Sequence, residues 1–116
     1  MNGDSMFTCT VQGGVKIISG SAALTSDQLA EVEAAVKECF GKGQPRIVFN
    51  LQGIPLIDSA GLELLLDLRD RCLQRGGVLQ LAEANPLCRD ILQVTETARE
   101  FALFDDVTSA VGSFSQ

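Results

Sequence analysis

Two short apolar runs on either side of a long amphipathic segment do most to limit how this chain folds. Residues 47–51 show no regular alternation of apolar and polar side chains, which is typical of a strand covered on both faces. Residues 78–82 form a second run of this kind. The segment between them predicts a loop and then a helix from about residue 59 to residue 75. Strand, helix and strand in this order predict two parallel strands joined by a crossover.

The predicted helix over residues 59–75 has the clearest periodicity in the chain. Asp67 and Arg71 are spaced as an i,i+4 ion pair, and Gly76-Gly77 is a natural stop. Polar residues occupy the face opposite the leucines, so the helix is expected to cover one side of the sheet. The predicted apolar stripe consists of Leu62, Leu65, Leu66, Leu68, Cys72 and Leu73.

The chain before this unit predicts a β-hairpin and a helix. Residues 6–11 alternate as a strand does, Gly13-Gly14 indicates a turn, and residues 15–18 form the partner strand. A helix is expected to follow Thr25, because Thr25 and Gln28 have the spacing of a capping box.

The chain after this unit predicts two more helices and a short strand. Asn85-Pro86 is an N-cap followed by proline in the first turn, and Leu87, Ile91, Leu92 and Val94 are expected to face the core. Residues 101–104 predict a short edge strand. Asp105-Asp106 then predicts the cap of a last helix through Val111, followed by a loose tail.

The predicted order is therefore β-β-α-β-α-β-α-(β)-α. We expect residues 1–116 to form a single α/β domain with its core at about residues 6–111. Its sheet is expected to have four to five mostly parallel strands, with an N-terminal β-hairpin and about four helices.

Charge and composition narrow the possible functions. The net charge of −6 disfavours nucleic acid, which is bound through clustered cations. No apolar run approaches the ~20 residues of a membrane span, so we expect no membrane insertion. Cys9, Cys39, Cys72 and Cys88 lack C-x-x-C spacing, and we expect four reduced thiols in a cytoplasmic protein. Nothing in the sequence calls for a metal or another cofactor.

Asp58-Ser59 is the one pair of residues that suggests a functional site. On local sequence alone it is most simply a helix N-cap. A catalytic serine needs a base, but the chain has no histidine, and no lysine has a spacing that marks it as a partner. A serine at a helix start does suit phosphorylation, because the positive end of the helix dipole favours an anion. The sequence thus predicts a binding protein rather than an enzyme.

The span from residue 15 to residue 111 resembles the STAS domain, and in particular the anti-anti-sigma factors (anti-sigma factor antagonists) of bacteria. The resemblance implies an α/β fold and a regulator that binds an anti-sigma factor, itself a serine kinase. It makes Ser59 the phosphoacceptor, with a phosphatase that resets it. The matching segments are Gly20, residues 47–51, residues 57–62, residues 76–79 and Asn85-Pro86.

The resemblance also implies a partner-binding surface around Ser59. Asp58 is the acid beside the phosphoacceptor, and Gly61 is expected to let a partner approach the helix start closely. The implied contact residues are Ser21, Asp58, Ser59, Ala60, Gly61 and Glu63.

Two short segments differ from the family pattern. Ser21-Ala22-Ala23 stands where the family usually has two acids around an apolar residue, in a loop expected to border Ser59. Thr95-Glu96-Thr97 stands where the family often turns on a glycine.

Two other functions stay open at this point. The first is a STAS-type accessory subunit that docks on the ATPase of a lipid-transporting ABC complex. The second is a hydrolase with Ser59 as nucleophile.

Overall fold

The computed structural model describes residues 6–115, in which strands and helices alternate as predicted. Residues 1–5 and 116 of the predicted domain lie outside the described residues. The strands are β1 (Phe7–Gln12), β2 (Val15–Gly20), β3 (Arg46–Asn50), β4 (Val78–Ala82) and β5 (Leu103–Phe104). The helices are α1 (Leu29–Cys39), α2 (Ser59–Gln74), α3 (Pro86–Val94) and α4 (Val107–Ser113), with 3-10 turns at Ser26–Gln28 and Thr97–Glu100.

The strands form one sheet in the order β1-β2-β3-β4-β5. β1 and β2 are antiparallel, and each later strand is parallel to its neighbour. The turn of the hairpin places Gly13 and Gly14 at φ values of 58° and 79°, which glycine adopts without a steric cost. The predicted mostly parallel sheet with an N-terminal hairpin is confirmed.

The central strand β3 contributes side chains to both faces of the sheet. Ile47 and Phe49 lie in the larger core, which α1, α2 and α3 cover. Val48 lies in a smaller core on the other face, beneath Ala110 of α4. Cover on both faces explains why residues 47–51 do not alternate.

The ends of the helices follow the local chemistry of the chain. After α2, Gly76 has a φ of 76°, its N–H donates to the Leu73 carbonyl, and the Gly77 N–H donates to the Cys72 carbonyl. The predicted caps of α3 and α4 are present. Asn85 Oδ1 accepts the Cys88 N–H at 2.7 Å, and Asp106 Oδ1 accepts the Ser109 N–H at 2.7 Å. The latter bond lowers the pKa of Asp106.

The start of α1 and the end of α4 differ from the prediction. Thr25 precedes a 3-10 turn and makes no side-chain capping bond, so the predicted capping box is wrong. Its backbone carbonyl accepts the Gln28 N–H instead. At the other end, α4 continues to Ser113, whose hydroxyl donates to Gln80 on β4. Residues 112–116 had been expected to form a loose tail. The bond from Ser113 instead holds this part of the chain against the sheet.

Two helix faces are rotated relative to the predicted stripes. On α2 the buried residues are Gly61, Leu64, Leu65, Leu68 and Cys72, whereas Leu73 is 49% exposed. On α3, Leu87 and Val94 are exposed and Cys88 is buried in their place. The predicted stripes were based on the spacing of apolar residues. In the structure, burial depends on which positions of each helix face the sheet, and these include Gly61 and Cys88.

The turn after α3 keeps its form without a glycine. Glu96 adopts a φ of 62°, in the left-handed region that glycine favours. Beside it, the Thr95 hydroxyl donates to the Ile91 carbonyl at 2.6 Å, and the Thr97 hydroxyl lies 2.9 Å away. These bonds close the end of α3, and the departure at residues 95–97 therefore leaves the fold intact.

Cys9 and Cys39 form a disulfide, so the prediction of four reduced thiols is wrong for this pair. Cys9 lies on β1 and Cys39 ends α1, with 6.1 Å between their Cα atoms. They are 30 residues apart, and only the packing of α1 on the hairpin brings them together. Cys72 and Cys88 are free and buried, and burial raises the pKa of Cys72 to about 11. A buried, protonated thiol of this kind is a poor nucleophile.

The disulfide predicts the number of reactive thiols. In denaturant without reductant, dithiobis(nitrobenzoate) should titrate only the two free cysteines, and after reduction it should titrate all four. Reduction should lower the free energy of unfolding by about 3–4 kcal/mol, because the crosslink restricts the unfolded chain. A Cys9→Ser, Cys39→Ser variant should match the reduced protein and be insensitive to reductant. Four reactive thiols before reduction would contradict the pairing.

Candidate functional site

Ser59 is the first residue of α2, and Asp58 is the N-cap of that helix. Asp58 has an extended backbone, and its Oδ1 accepts the Gly61 N–H at 2.9 Å. The Ser59 side chain is exposed, and its hydroxyl has no hydrogen-bond partner within residues 6–115. The capping role that local sequence assigns to the pair therefore belongs to Asp58, which leaves the Ser59 hydroxyl available to a second molecule.

Backbone hydrogen bonds join the loop after β2 to the loop before α2. Leu24 and Ile57 form an isolated parallel bridge. The Leu24 N–H donates to the Leu56 carbonyl at 3.0 Å, and the Asp58 N–H donates to the Leu24 carbonyl at 3.2 Å. The structure thus places Leu24, at the end of the loop after β2, beside residues 56–58.

Gly61 has a role in the internal packing of the site. It is buried, and a Cβ atom at this position would overlap the Leu24 carbonyl oxygen. The space left by the missing side chain is therefore filled by the chain itself. The missing side chain lets α2 begin against the Leu24 loop, and the role of Gly61 toward a partner stays a prediction.

The other predicted contact residues differ in their exposure. Ser21 is exposed, and its N–H donates to the Met6 carbonyl at 2.9 Å. Glu63 is exposed one turn after Ser59, whereas Asp58 and Ala60 are partly buried. Four of these side chains, at positions 58, 59, 60 and 63, lie on the first turns of one helix and its cap.

A third loop at this end of the sheet was not predicted to belong to the site. Asn85, the cap of α3, also donates from Nδ2 to the Ile54 carbonyl at 3.2 Å. This bond holds the start of α3 against the loop that leads to Ser59. Leu56 and Leu87 on these two segments are 40% and 50% exposed. We call Leu56, Ser59, Glu63 and Leu87 the Ser59 face; Leu87 was missed because its apolar character suggested the core.

The two chain segments that meet beside Ser59 carry only negative charges. Residues 20–25 and 51–63 contain no lysine or arginine, whereas they include Asp58 and Glu63. The chain contains no histidine, so no imidazole is present to act as a base for the Ser59 hydroxyl. Among residues 6–115 there is no group of three or more Cys, Asp and Glu side chains arranged to hold a metal ion. No helix in this range has the length and hydropathy needed to cross a membrane.

The sequence matches the STAS domain family over residues 7–110. A protein of Bordetella bronchiseptica, provisionally named anti-sigma factor antagonist BtrV, is 26% identical over 101 residues, which is 87% of each chain.

Solved structures also resemble the chain. One from Thermotoga maritima, provisionally described as an anti-sigma factor antagonist, superposes with a TM-score of 0.86 at 21% identity and covers 96% of both chains. An anti-sigma-factor antagonist (STAS) domain protein from Planctomyces limnophilus has the same TM-score and identity, covering 95% of this chain and 98% of its own. The murine anion transporter solute carrier 26 family member A9 contains the same fold, with a TM-score of 0.74 at 17% identity over 88% of this chain and 18% of its own. At these identities the structures establish the fold alone.

Gly61 offers a test of how the site is held. We expect Gly61→Ala to lower the free energy of unfolding by about 1–3 kcal/mol, because the added methyl group meets the Leu24 carbonyl. The matched control is Gly112→Ala in α4, where nothing lies within 4 Å of an added Cβ. That substitution should stabilise the protein by about 0.5–1 kcal/mol through helix propensity. Chemical denaturation measures both, and equal effects would refute the close packing at Gly61.

Proposed function

The chain belongs to the STAS domain family, and from this premise we propose that it is an anti-sigma factor antagonist. In this proposal the unmodified protein binds a cognate anti-sigma factor through the Ser59 face. Phosphorylation of Ser59 by that factor, acting as a serine kinase, releases the complex, and a phosphatase restores binding. The protein is then a regulator and not an enzyme. The observation that carries the proposal is the exposed Ser59 hydroxyl at the start of α2.

The position of Ser59 favours a modification that leaves the fold intact. The hydroxyl makes no bond that phosphorylation would break, and the helix N-terminus tolerates an anion. Asp58 supplies the cap independently through the Gly61 N–H. The phosphate would therefore change the surface rather than the stability of α2.

The charges around Ser59 account for a large effect on binding. A phosphate adds about −1.5 to −2 charge at neutral pH. It would join Asp58 and Glu63 on a surface whose neighbouring segments carry no cation. A partner packed on this face would have to bury that charge unpaired, which costs several kcal/mol. Such a cost is enough to dissociate a complex of micromolar affinity.

The unmodified Ser59 face has the mixed character of a transient interface. Leu56, two residues before Asp58, and Leu87, at the start of α3, both expose apolar area. A complementary partner would place apolar side chains against the leucines and an uncharged surface against the Ser59 hydroxyl, so an added phosphate would meet no counter-charge there. The name of the Bordetella relative supports an anti-sigma factor as that partner.

Residues 21–23 bear on which kinase would act. Ser21-Ala22-Ala23 carries no acid, and Leu24, the next residue, pairs with Ile57 in the segment that precedes Ser59. A kinase that recognises this protein would have to contact the acids at the start of α2, Asp58 and Glu63, instead of acids in this loop. We therefore propose that the cognate kinase tolerates a neutral loop at residues 21–23.

We propose that the protein acts in the cytoplasm, where sigma factors operate. Disulfides seldom persist in that compartment, so the Cys9–Cys39 bond would be exposed to reduction there. The accessory-subunit hypothesis finds no support of its own in the structure. Neighbouring genes would separate the two, since an anti-sigma kinase or a phosphatase supports the first and a permease with an ATPase supports the second.

A negative charge at position 59 should mimic the modified state. We expect Ser59→Asp to weaken binding to the cognate anti-sigma factor at least about tenfold, because the added carboxylate lies within the contact surface. Ser109→Asp is the matched control, since Ser109 is exposed in the first turn of α4 on the other face of the sheet. Calorimetry measures both affinities, and circular dichroism checks the fold. Equal affinities for the two variants would count against the proposal.

Phosphorylation itself is tested with purified proteins. The protein is incubated with ATP and each candidate anti-sigma kinase of the same genome, and mass spectrometry maps the product. We expect one phosphate on Ser59 and none on the Ser59→Ala variant. Modification of another residue, or none with any candidate, would exclude the switch even if the two proteins bind.

A further inference from the structure

A second surface with the opposite charge lies at the far end of the sheet from Ser59. A cleft of about 280 Å³ opens there, between the starts of β2 and β3 and the end of α1. Three of its side chains are cationic, namely Lys16, Lys42 and Arg46, and none of the residues that line it is acidic. We call these three residues and the loop 41–45 the cationic cleft.

The distribution of ion pairs makes this cluster unusual. The chain has nine lysines and arginines against fifteen acids. Arg69, Arg71, Arg89 and Arg99 each form an ion pair with a carboxylate of this chain. Within residues 6–115, the cations of the cleft have no such partner. An acidic protein has thus left three of its few cations unpaired at one place.

Clustering like charges is unfavourable, and within residues 6–115 no carboxylate forms an ion pair with these three cations. Three ammonium and guanidinium groups around one cleft repel each other, and a bound anion would relieve that repulsion. A further cation contacts the same loop, because Arg75 donates to the Gly41 carbonyl and stacks 5.5 Å from the centre of the Phe40 ring. The end of α1 at Cys39 contributes only the partial negative charge of its carbonyls, one of the few opposing contributions.

We propose that the cationic cleft binds a small phosphate-bearing molecule, with its phosphate held by Lys16, Lys42 and Arg46. A phosphate dianion matches the charge of the site, and arginine and lysine are the residues that bind it. Gly14, Gly41 and Gly43 also line the cleft, and without side chains they leave room for a ligand to approach the backbone. The volume is at the small end for ligand sites, which favours a metabolite over a polymer.

The cleft is independent of the proposed switch. It lies at the amino ends of the parallel strands, whereas Ser59 follows the carboxyl end of β3. Occupation of the cleft is therefore expected to leave the amide environment of residues 58–63 unchanged.

The test is an NMR titration of the ¹⁵N-labelled protein at fixed pH and ionic strength. Inorganic phosphate should shift the amide signals of residues 14, 16, 41–43 and 46 in a saturable manner. A parallel titration with glycerol phosphate distinguishes the source of the phosphate. Tighter binding of the ester identifies a phosphorylated metabolite, and equal binding identifies free phosphate. Absence of saturable shifts with both, or equal shifts with chloride, would overturn the proposal.

Variants assign the binding to the cleft. Lys42→Gln with Arg46→Gln should raise the dissociation constant for phosphate at least about tenfold, as expected for the loss of charge-assisted hydrogen bonds. Lys37→Gln is the matched control, because Lys37 is an exposed cation on α1 that does not line the cleft. It should change the constant less than twofold. Lys16→Gln alone supplies a second variant should the double variant fail to fold. Equal affinities in all variants would overturn the assignment.

Discussion

The Leu24 carbonyl is the group on which the arrangement around Ser59 depends. It accepts the Asp58 N–H, and Gly61 packs against it without a side chain between them. Through these two contacts the loop after β2 fixes where α2 begins, and therefore where the Ser59 hydroxyl lies. Any larger residue at position 61 would separate the two loops. The exposed hydroxyl is thus a consequence of a buried contact two residues away.

The parallel sheet separates two surfaces of opposite charge. All the loops that follow the carboxyl ends of β2, β3 and β4 gather near Ser59, where the charged side chains of the loops are acidic. The loops at the amino ends carry Lys16, Lys42 and Arg46. Parallel strands produce this division because every crossover helix returns the chain to the edge where the strands begin. The loops that leave the strands therefore lie at one edge of the sheet, and the loops that enter them lie at the other. A small domain can in this way keep two surfaces with different partners from interfering.

Much of the fold could be predicted because it depends on short-range chemistry. The glycine turn at residues 13–14, the Asn85 and Asp106 caps and the Gly76-Gly77 stop are each set by a few neighbouring residues, and each is confirmed. The face of a helix was harder to predict, because Leu73 and Leu64 are equally apolar. Only the direction in which α2 meets the sheet makes Leu64 buried and Leu73 exposed.

The sequence by itself determined the order of the elements, the α/β class and the location of the candidate serine, since these depend on periodicity and on local caps. Tertiary structure alone decided that Gly61 packs against the Leu24 carbonyl and that Cys9 meets Cys39. It also brought Lys16 beside Lys42 and Arg46. These relations join residues far apart in the chain, and a contact between distant residues has no periodicity that a sequence could display.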